Sequence, residues 1–394
     1  MSRSLDHQIT RSTDLFFLSA GEASGDNYGA QLIEALRRLS PGAVFFGMGG
    51  ERMQAAGCDL QVHAKEVAVV GLVEVITHLP AIRKRFKDLV AEAAQRRPTA
   101  AILIDFPDFN LRLAKELHAL GIPVFYFVSP QIWAWRTGRV EQIKKYVREM
   151  IVIFPFEQEF YRKHGVEVSY VGHPLAYEPL PEVNRPEFAA RFKLDGSKQW
   201  IALLPGSRRK EVRQNLPCML DAVQLLLEEG QDFEFLLPVA STLDKEWVRY
   251  QLGPAYTRIR LTEGASATVM LSRAAMVASG TATVESALTG TPFVVVYKLA
   301  PLTWLLGRRL VSIDTFAMPN LIAGRKIVPE LIQSEFTGPN VVRELNKIIP
   351  DGPARQQMQA DLQQVRNELR DPQSSEEPAM RAAREILAVL NPND

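Results

Sequence analysis

Short apolar strands alternate with helix-length segments along almost the whole chain, and the series runs through twice. The first series reads as a strand at 15–19, a turn Gly21-Glu22-Ala23-Ser24-Gly25-Asp26 and a helix at 27–39. Further strands follow at 44–47, 100–105, 123–128 and 150–154. The second series begins at 200–204 and continues through 233–238, 258–261, 275–278 and 293–297. Strands spaced by helices cannot pair as hairpins, so they imply parallel sheets covered on both faces. The expected fold is α/β, with two doubly wound, Rossmann-like domains facing across a cleft. Gly172-His173-Pro174-Leu175 and the proline-rich segment 178–185 separate the two series. The expected boundaries are 1–174, 175–350 and a charged helical tail, 351–394, packing back on the first domain or on a partner subunit. A length of 394 residues suits two domains.

Ligands of doubly wound sheets bind beyond the carboxyl ends of the strands. The informative loops are therefore 20–26, 105–110, 129–136, 205–213 and 279–285. In the last of these, Ser279, Gly280, Thr281 and Ala282 join a strand to a helix through small residues. Thr281 or Thr283 can cap that helix, and its first N–H groups suit a phosphate. Glu285, one turn further on, is placed to accept bonds from ribose hydroxyls. A plain helix-on-sheet crossover would also use small residues here. The loop Pro205-Gly206-Ser207-Arg208-Arg209-Lys210 adds a close backbone approach at Gly206, a hydroxyl at Ser207 and a planar donor fork at Arg208. This suits a diphosphate, and in a transfer reaction an arginine offsets the charge of the leaving group. Arg208 is favoured over Arg209 because it lies nearer the turn.

In the first half, Asp105 ends the apolar run Ile102-Leu103-Ile104. Partial desolvation there should raise its pKa towards that of a general base. Asp108 is the rival base, or a cap for a helix starting near Asn110. Glu22 lies in the first strand–helix turn, with Asp26 four residues on. Trp133 and Trp135 can stack on a sugar or wedge two elements together.

The net charge of +1 excludes a strongly basic nucleic-acid binder. Two cysteines, Cys58 and Cys218, make neither a disulfide framework nor a metal site, which suits a reducing compartment. The first fourteen residues lack the apolar core of a signal peptide, and no apolar run reaches the roughly 18 residues of a membrane span. A cytoplasmic protein is expected. The apolar stretch 67–76 beside Arg83-Lys84-Arg85-Phe86-Lys87 reads either as core or as a surface for an anionic membrane.

Five segments, in order, carry a family resemblance: Ser19–Asp26, Asp105-Phe106-Pro107-Asp108-Phe109-Asn110, Val128-Ser129-Pro130-Gln131-Ile132-Trp133-Ala134-Trp135-Arg136, Leu204-Pro205-Gly206-Ser207-Arg208, and Pro319-Asn320-Leu321-Ile322-Ala323-Gly324. Together they resemble the lipid-A-disaccharide synthases over about residues 15–345. The resemblance implies a metal-independent, cofactor-free GT-B glycosyltransferase of a Gram-negative source. It implies inverting transfer of 2,3-diacylglucosamine from UDP to the 6-hydroxyl of 2,3-diacylglucosamine 1-phosphate, at the inner face of the inner membrane. Asp105, Arg208 and Glu22 match catalytic positions of the family. Glu285 and Asn320 match positions at the nucleotide, and Asp108, Asn110, Trp133 and Trp135 fall on the acceptor side. A UDP-sugar 2-epimerase of the same architecture and a non-catalytic nucleotide-sugar or lipid-binding module are the alternatives. No nucleic acid partner is expected, and a homodimer is left open.

Overall fold

A computed structural model describes residues 14–67, 72–135, 137–298, 315–371 and 374–391, without the side chains of 72–78, 134, 135, 137 and 254–256. It divides into two compact units: the chain up to Pro174 together with the segment from Ser374, and Leu175–Gln373. The helical tail is therefore shared, its helix Pro353–Glu368 lying in unit 2 and its helix Pro378–Leu390 in unit 1.

Among the described residues unit 1 is built on seven parallel strands: β1 (Leu15–Ala20), β2 (Val44–Gly49), β3 (Cys58–His63), β4 (Ala100–Ile104), β5 (Val124–Phe127), β6 (Glu149–Val152) and β7 (Val168–Tyr170), in the spatial order 3-2-1-4-5-6-7. The described residues of unit 2 form six: β8 (Gln199–Leu204), β9 (Phe233–Pro238), β10 (Ile259–Thr262), β11 (Ala274–Ala278), β12 (Phe293–Tyr297) and β13 (Glu330–Ile332), in the order 10-9-8-11-12-13. Both are doubly wound. The winding reverses between β1 and β4 in one sheet and between β8 and β11 in the other. At such a point consecutive loops leave towards opposite faces and open a crevice.

The pleat explains the apolar strands. On β1, Phe16, Leu18 and Ala20 join the core formed with the helices Ala23–Leu39 and Pro378–Leu390, while Phe17 joins the opposite core with Phe46, Leu103 and Leu113. A strand buried on both faces reads as a continuous apolar run. The C-terminal helix buries Ala379, Ala382, Ala383 and Ile386 at helical spacing and is tied to the β7 end by Arg381, which donates to the carbonyls of Tyr170 and Val171 at 3.0 and 3.1 Å.

Several boundaries differ from the sequence reading. The turn 21–26 is mostly helix, since the helix begins at Ala23. The loop 106–110 is likewise the first turn of the helix Pro107–Ala119, because Asp105 and Phe106 complete the chain reversal alone, in the left-handed region, at φ 46° and 51°. Strands β3, β7 and β13 were too short or too polar to stand out. Of the apolar stretch 67–76, Val67 is buried in the core, residues 68–71 lie outside the described residues, and Leu72 opens the helix Leu72–Arg96. On that helix Phe86 packs inward while Arg83, Lys84 and Lys87 are exposed.

Candidate active site

Both reversal points carry the residues singled out from the sequence. In unit 1 these are Gly21 and Glu22 after β1, and Asp105 and Phe106 after β4. In unit 2 they are Gly206, Ser207 and Arg208 after β8, and Ser279, Gly280 and Thr281 after β11.

The Asp105 turn is held by Asn110, expected on the acceptor side, and by Tyr126. Two adjacent non-glycine residues at positive φ cost of order 1–3 kcal/mol each and persist only where neighbours over-determine them. Here Asn110 is fully buried, and its amide donates to the carbonyls of Asp105 (2.8 Å), Ile104 (3.1 Å) and Ser19 (3.2 Å). Its Oδ1 accepts from the Ser19 hydroxyl at 2.7 Å. The Tyr126 hydroxyl donates to the Asp105 carbonyl at 2.6 Å. Burial, and then the Asp105 charge, keep that phenol protonated well above its ordinary range. Asn110 thus fastens β1, β4 and the turn together, with its polar atoms spent on the scaffold. Phe106 lies over Gly21: a Cβ added to Gly21 would stand 2.3 Å from the Phe106 ring. The β1 and β4 loops are therefore in contact, which brings Glu22, exposed at the N-cap of its helix, to the same end of the sheet. Asp26 is turned away and accepts from the N–H groups of Gly50, Arg52 and Met53 at 2.7–3.1 Å. Asp108 is exposed and paired with Arg139, and does not cap its helix.

The segment Ser129–Trp135, expected as a loop, closes in a short helix, Ile132–Trp135, and leaves β5 through Val128 at φ 63°, a conformation unusual for a β-branched residue. Trp133 is buried, edge-on to Phe156 at 4.9 Å, and its indole N–H donates to Glu157 Oε1 at 3.2 Å. In this arrangement it wedges elements together. The Trp135 side chain and Arg136 lie outside the described residues. Glu157 also accepts from the Phe154 N–H at 3.3 Å, and Ser129 shares a 2.8 Å hydrogen bond with the Tyr161 hydroxyl. Burial pushes the Glu157 carboxyl up to about 8, despite its hydrogen bonds. A carboxyl raised in the folded state favours folding only while protonated. Its contribution is fully present below pH 4.5 and is lost as pH rises through about 8. Glu157→Gln should therefore flatten the decline of Tm across that window, after a constant offset for the lost Phe154 bond. An unchanged slope of Tm against pH would show that Glu157 does not titrate there.

In unit 2 a second buried asparagine repeats the device. Asn215 donates to the Pro205 carbonyl at 2.9 Å and accepts from the Lys298 N–H at 3.0 Å, pinning the turn after β8 to the end of β12. Arg208 is the N-cap of the helix Arg209–Glu228, with its side chain 59% exposed. Arg209 points to the ring of Trp247, with its guanidinium carbon 5.3 Å from the centroid. The turn after β11 has Gly280 as N-cap at φ 140°, and no side chain caps the helix Thr281–Thr289. The expected threonine cap does not form, because the Thr283 hydroxyl donates to the Gly280 carbonyl at 2.7 Å. Glu285 lines a cavity of about 230 Å³ with Leu288, Ala265, Ser266, Glu178 and Pro181. That is smaller than the roughly 300 Å³ of a complete ligand pocket and suits part of a nucleotide. Burial, then the Glu178 charge, raise the Glu285 carboxyl. Asn320 is fully buried. It accepts from the N–H groups of Ile327 and Val328 at 2.7 and 2.9 Å and donates to Glu330 at 2.6 Å. Glu330 in turn accepts from the N–H groups of Phe316 and Ala317 at 2.8 and 3.2 Å. The Ser279 hydroxyl donates to the Phe316 carbonyl at 3.4 Å, so this network shapes the wall beside the β11 turn. Glu157, Tyr126, Asn215 and Glu330 were not singled out from the sequence. Only Asn215 left a trace, as a polar residue on the apolar face of its helix.

A family model described as lipid-A-disaccharide synthetase matches residues 16–385. The lipid-A-disaccharide synthase of Koribacter versatilis is 55% identical over 380 residues, covering 96% of this chain and 99% of that protein. The one from Acidobacterium capsulatum is 50% identical over 373 residues, covering 91% and 92%. Among solved structures, a UDP-GlcNAc 2-epimerase from Neisseria meningitidis bound to UDP-GlcNAc superposes with TM-score 0.58 at 12% identity, covering 96% of this chain and 99% of that chain. The calicheamicin glycosyltransferase superposes with TM-score 0.58 at 14% identity, covering 97% and 99%. At such identities the likeness is one of fold, that of the GT-B glycosyltransferases. Identity above one half over nearly the whole length is a stronger statement, and by it this chain, a glycosyltransferase, belongs to the lipid-A-disaccharide synthase family.

Proposed function

We propose that the protein transfers 2,3-diacylglucosamine from UDP to the 6-hydroxyl of 2,3-diacylglucosamine 1-phosphate, giving the β-1,6-linked disaccharide 1-phosphate and UDP with inversion. The observation that carries this reading is the division of chemistry between the two reversal points. Unit 1 presents a carboxylate, Asp105, on a turn fastened by Asn110 and Tyr126. Unit 2 presents an arginine and backbone N–H groups on the turn Gly206–Arg208 and a carboxylate, Glu285, beside a nucleoside-sized cavity. Asp105 takes the proton of the 6-hydroxyl as its oxygen bonds to C1. The bond from C1 to the diphosphate breaks, and Arg208 with the helix start after Gly280 offsets the growing charge. One base and one departing diphosphate give inversion. Arg208 and the helix N-terminus take the place that a divalent cation holds in other nucleotide-sugar sites.

Acyl substrates call for work at a lipid surface, the inner face of the inner membrane. We assign that docking to the part of the stretch 67–76 beyond Val67, which is itself buried in the core, together with Arg83, Lys84 and Lys87, which are exposed on their helix. No helix among the described residues is long and apolar enough to cross a membrane.

Mass spectrometry of the products from UDP-2,3-diacylglucosamine and its acceptor, with and without EDTA, tests the reading. A disaccharide 1-phosphate formed equally in both supports it. UDP release or sugar epimerisation without any need for acceptor would point to epimerase chemistry, and EDTA inhibition reversed by magnesium would bring a metal into the mechanism.

A further inference from the structure

The turn that is to hold the diphosphate already has a carboxylate on it. Glu211 Oε2 accepts from the N–H groups of Ser207 at 3.0 Å and Arg208 at 3.2 Å, and Oε1 lies 3.4 Å from the Arg208 guanidinium. Resting on the donor reading given above, we infer that Glu211 is a competitor built into the diphosphate turn, holding the same backbone donors that a phosphate oxygen needs and yielding them when nucleotide binds.

Three features support exchange rather than mere capping. An N–H group has one hydrogen, and at these distances it serves one strong acceptor. The turn itself is shaped to the carboxylate. Gly206 sits at φ 125°, and a Cβ there would stand 2.6 Å from Glu211 Oε2. The turn is also stiff, because Asn215 holds both the Pro205 carbonyl and the Lys298 N–H. Any movement therefore falls on the rotatable Glu211 side chain, which is 21% exposed and has solvent on one side. The consequence is specific to phosphate. A charged acceptor in competition weakens nucleotide binding and eases release of UDP, but it leaves the nucleoside untouched.

Glu211→Gln keeps a neutral acceptor at the helix start and removes the charge. Calorimetry is expected to show UDP bound roughly three- to tenfold more tightly, the size of one partly exposed charge contact, with uridine unchanged. If Glu211 were only a cap, UDP and uridine would weaken together or neither would change, and either result overturns the inference. A crystal structure of the unmodified protein with UDP gives the second arm. A phosphate oxygen on the Ser207 N–H with Glu211 turned away supports displacement. UDP seated by Glu285 with Glu211 still on both N–H groups overturns the inference and leaves the donor reading standing. UDP that fails to bind, or binds away from unit 2, overturns both.

Discussion

Asp105→Asn is expected to lower turnover by roughly two to four decades, the usual worth of a positioned proton acceptor, with UDP affinity retained. The substitution is close to isosteric, so under the proposed mechanism what it removes is the ability to take the 6-hydroxyl proton. It should also fold. The residue sits at φ 46°, and among non-glycine residues asparagine is one of the few that tolerate the left-handed region well. The contacts that hold the turn, from Tyr126 and Asn110, reach the backbone carbonyl of residue 105 and survive the change. Asp105→Ala would mix the loss of the base with strain in the turn, so it is the poorer test. A near-normal rate in Asp105→Asn would move the base to Glu22, exposed at the same end of the sheet, or to Asp108. Asp108 is the weaker substitute, because its carboxylate is already paired with Arg139.

The fold was legible in the sequence because parallel strands buried on both faces leave continuous apolar runs, and because the loops that follow them collect glycine and polar residues. Those loops also marked the two reversal points, where Asp105, Arg208 and Gly280 stand. What the sequence did not disclose was which polar residues face outwards. Asn110 and Asn320 belong to motifs that suggest ligand contact, yet both are fully buried and spend their amides on backbone groups. A buried amide needs partners for two donors and one acceptor, and a strand-end turn supplies such partners in abundance. Nothing in composition or spacing separates that role from binding a sugar. Trp133 is similar: its indole N–H is satisfied by Glu157, a residue twenty-four positions on that no local pattern links to it. The length of the Asp105 turn was also hidden. The compact reversal depends on two consecutive residues at positive φ, a conformation that neither aspartate nor phenylalanine announces.

Arg208→Ala is expected to reduce kcat by roughly two to three decades while weakening UDP-sugar binding far less, the pattern of an interaction made mainly in the transition state. The substitution leaves in place the backbone N–H groups of Ser207 and Arg208, which donate to Glu211 here and, on the reading proposed above, pass to the ground-state diphosphate. The charge that develops as the bond to C1 breaks loses its fork. The side chain is 59% exposed and its contact with Glu211 is long, at 3.4 Å, so the variant should fold within about 0.5 kcal/mol of the unmodified protein. Arg208→Lys separates charge from geometry. Lysine restores a cation but not a planar pair of donors, so it should recover only part of the rate. Arg209 cannot stand in, because its guanidinium lies over Trp247 at 5.3 Å. Arg209→Ala is therefore the matched control and should leave kcat nearly unchanged. Single-turnover kinetics on the three variants decide the matter. An Arg208→Ala protein with an unaltered chemical step, or an Arg209→Ala protein that loses as much, would remove Arg208 from the leaving-group role.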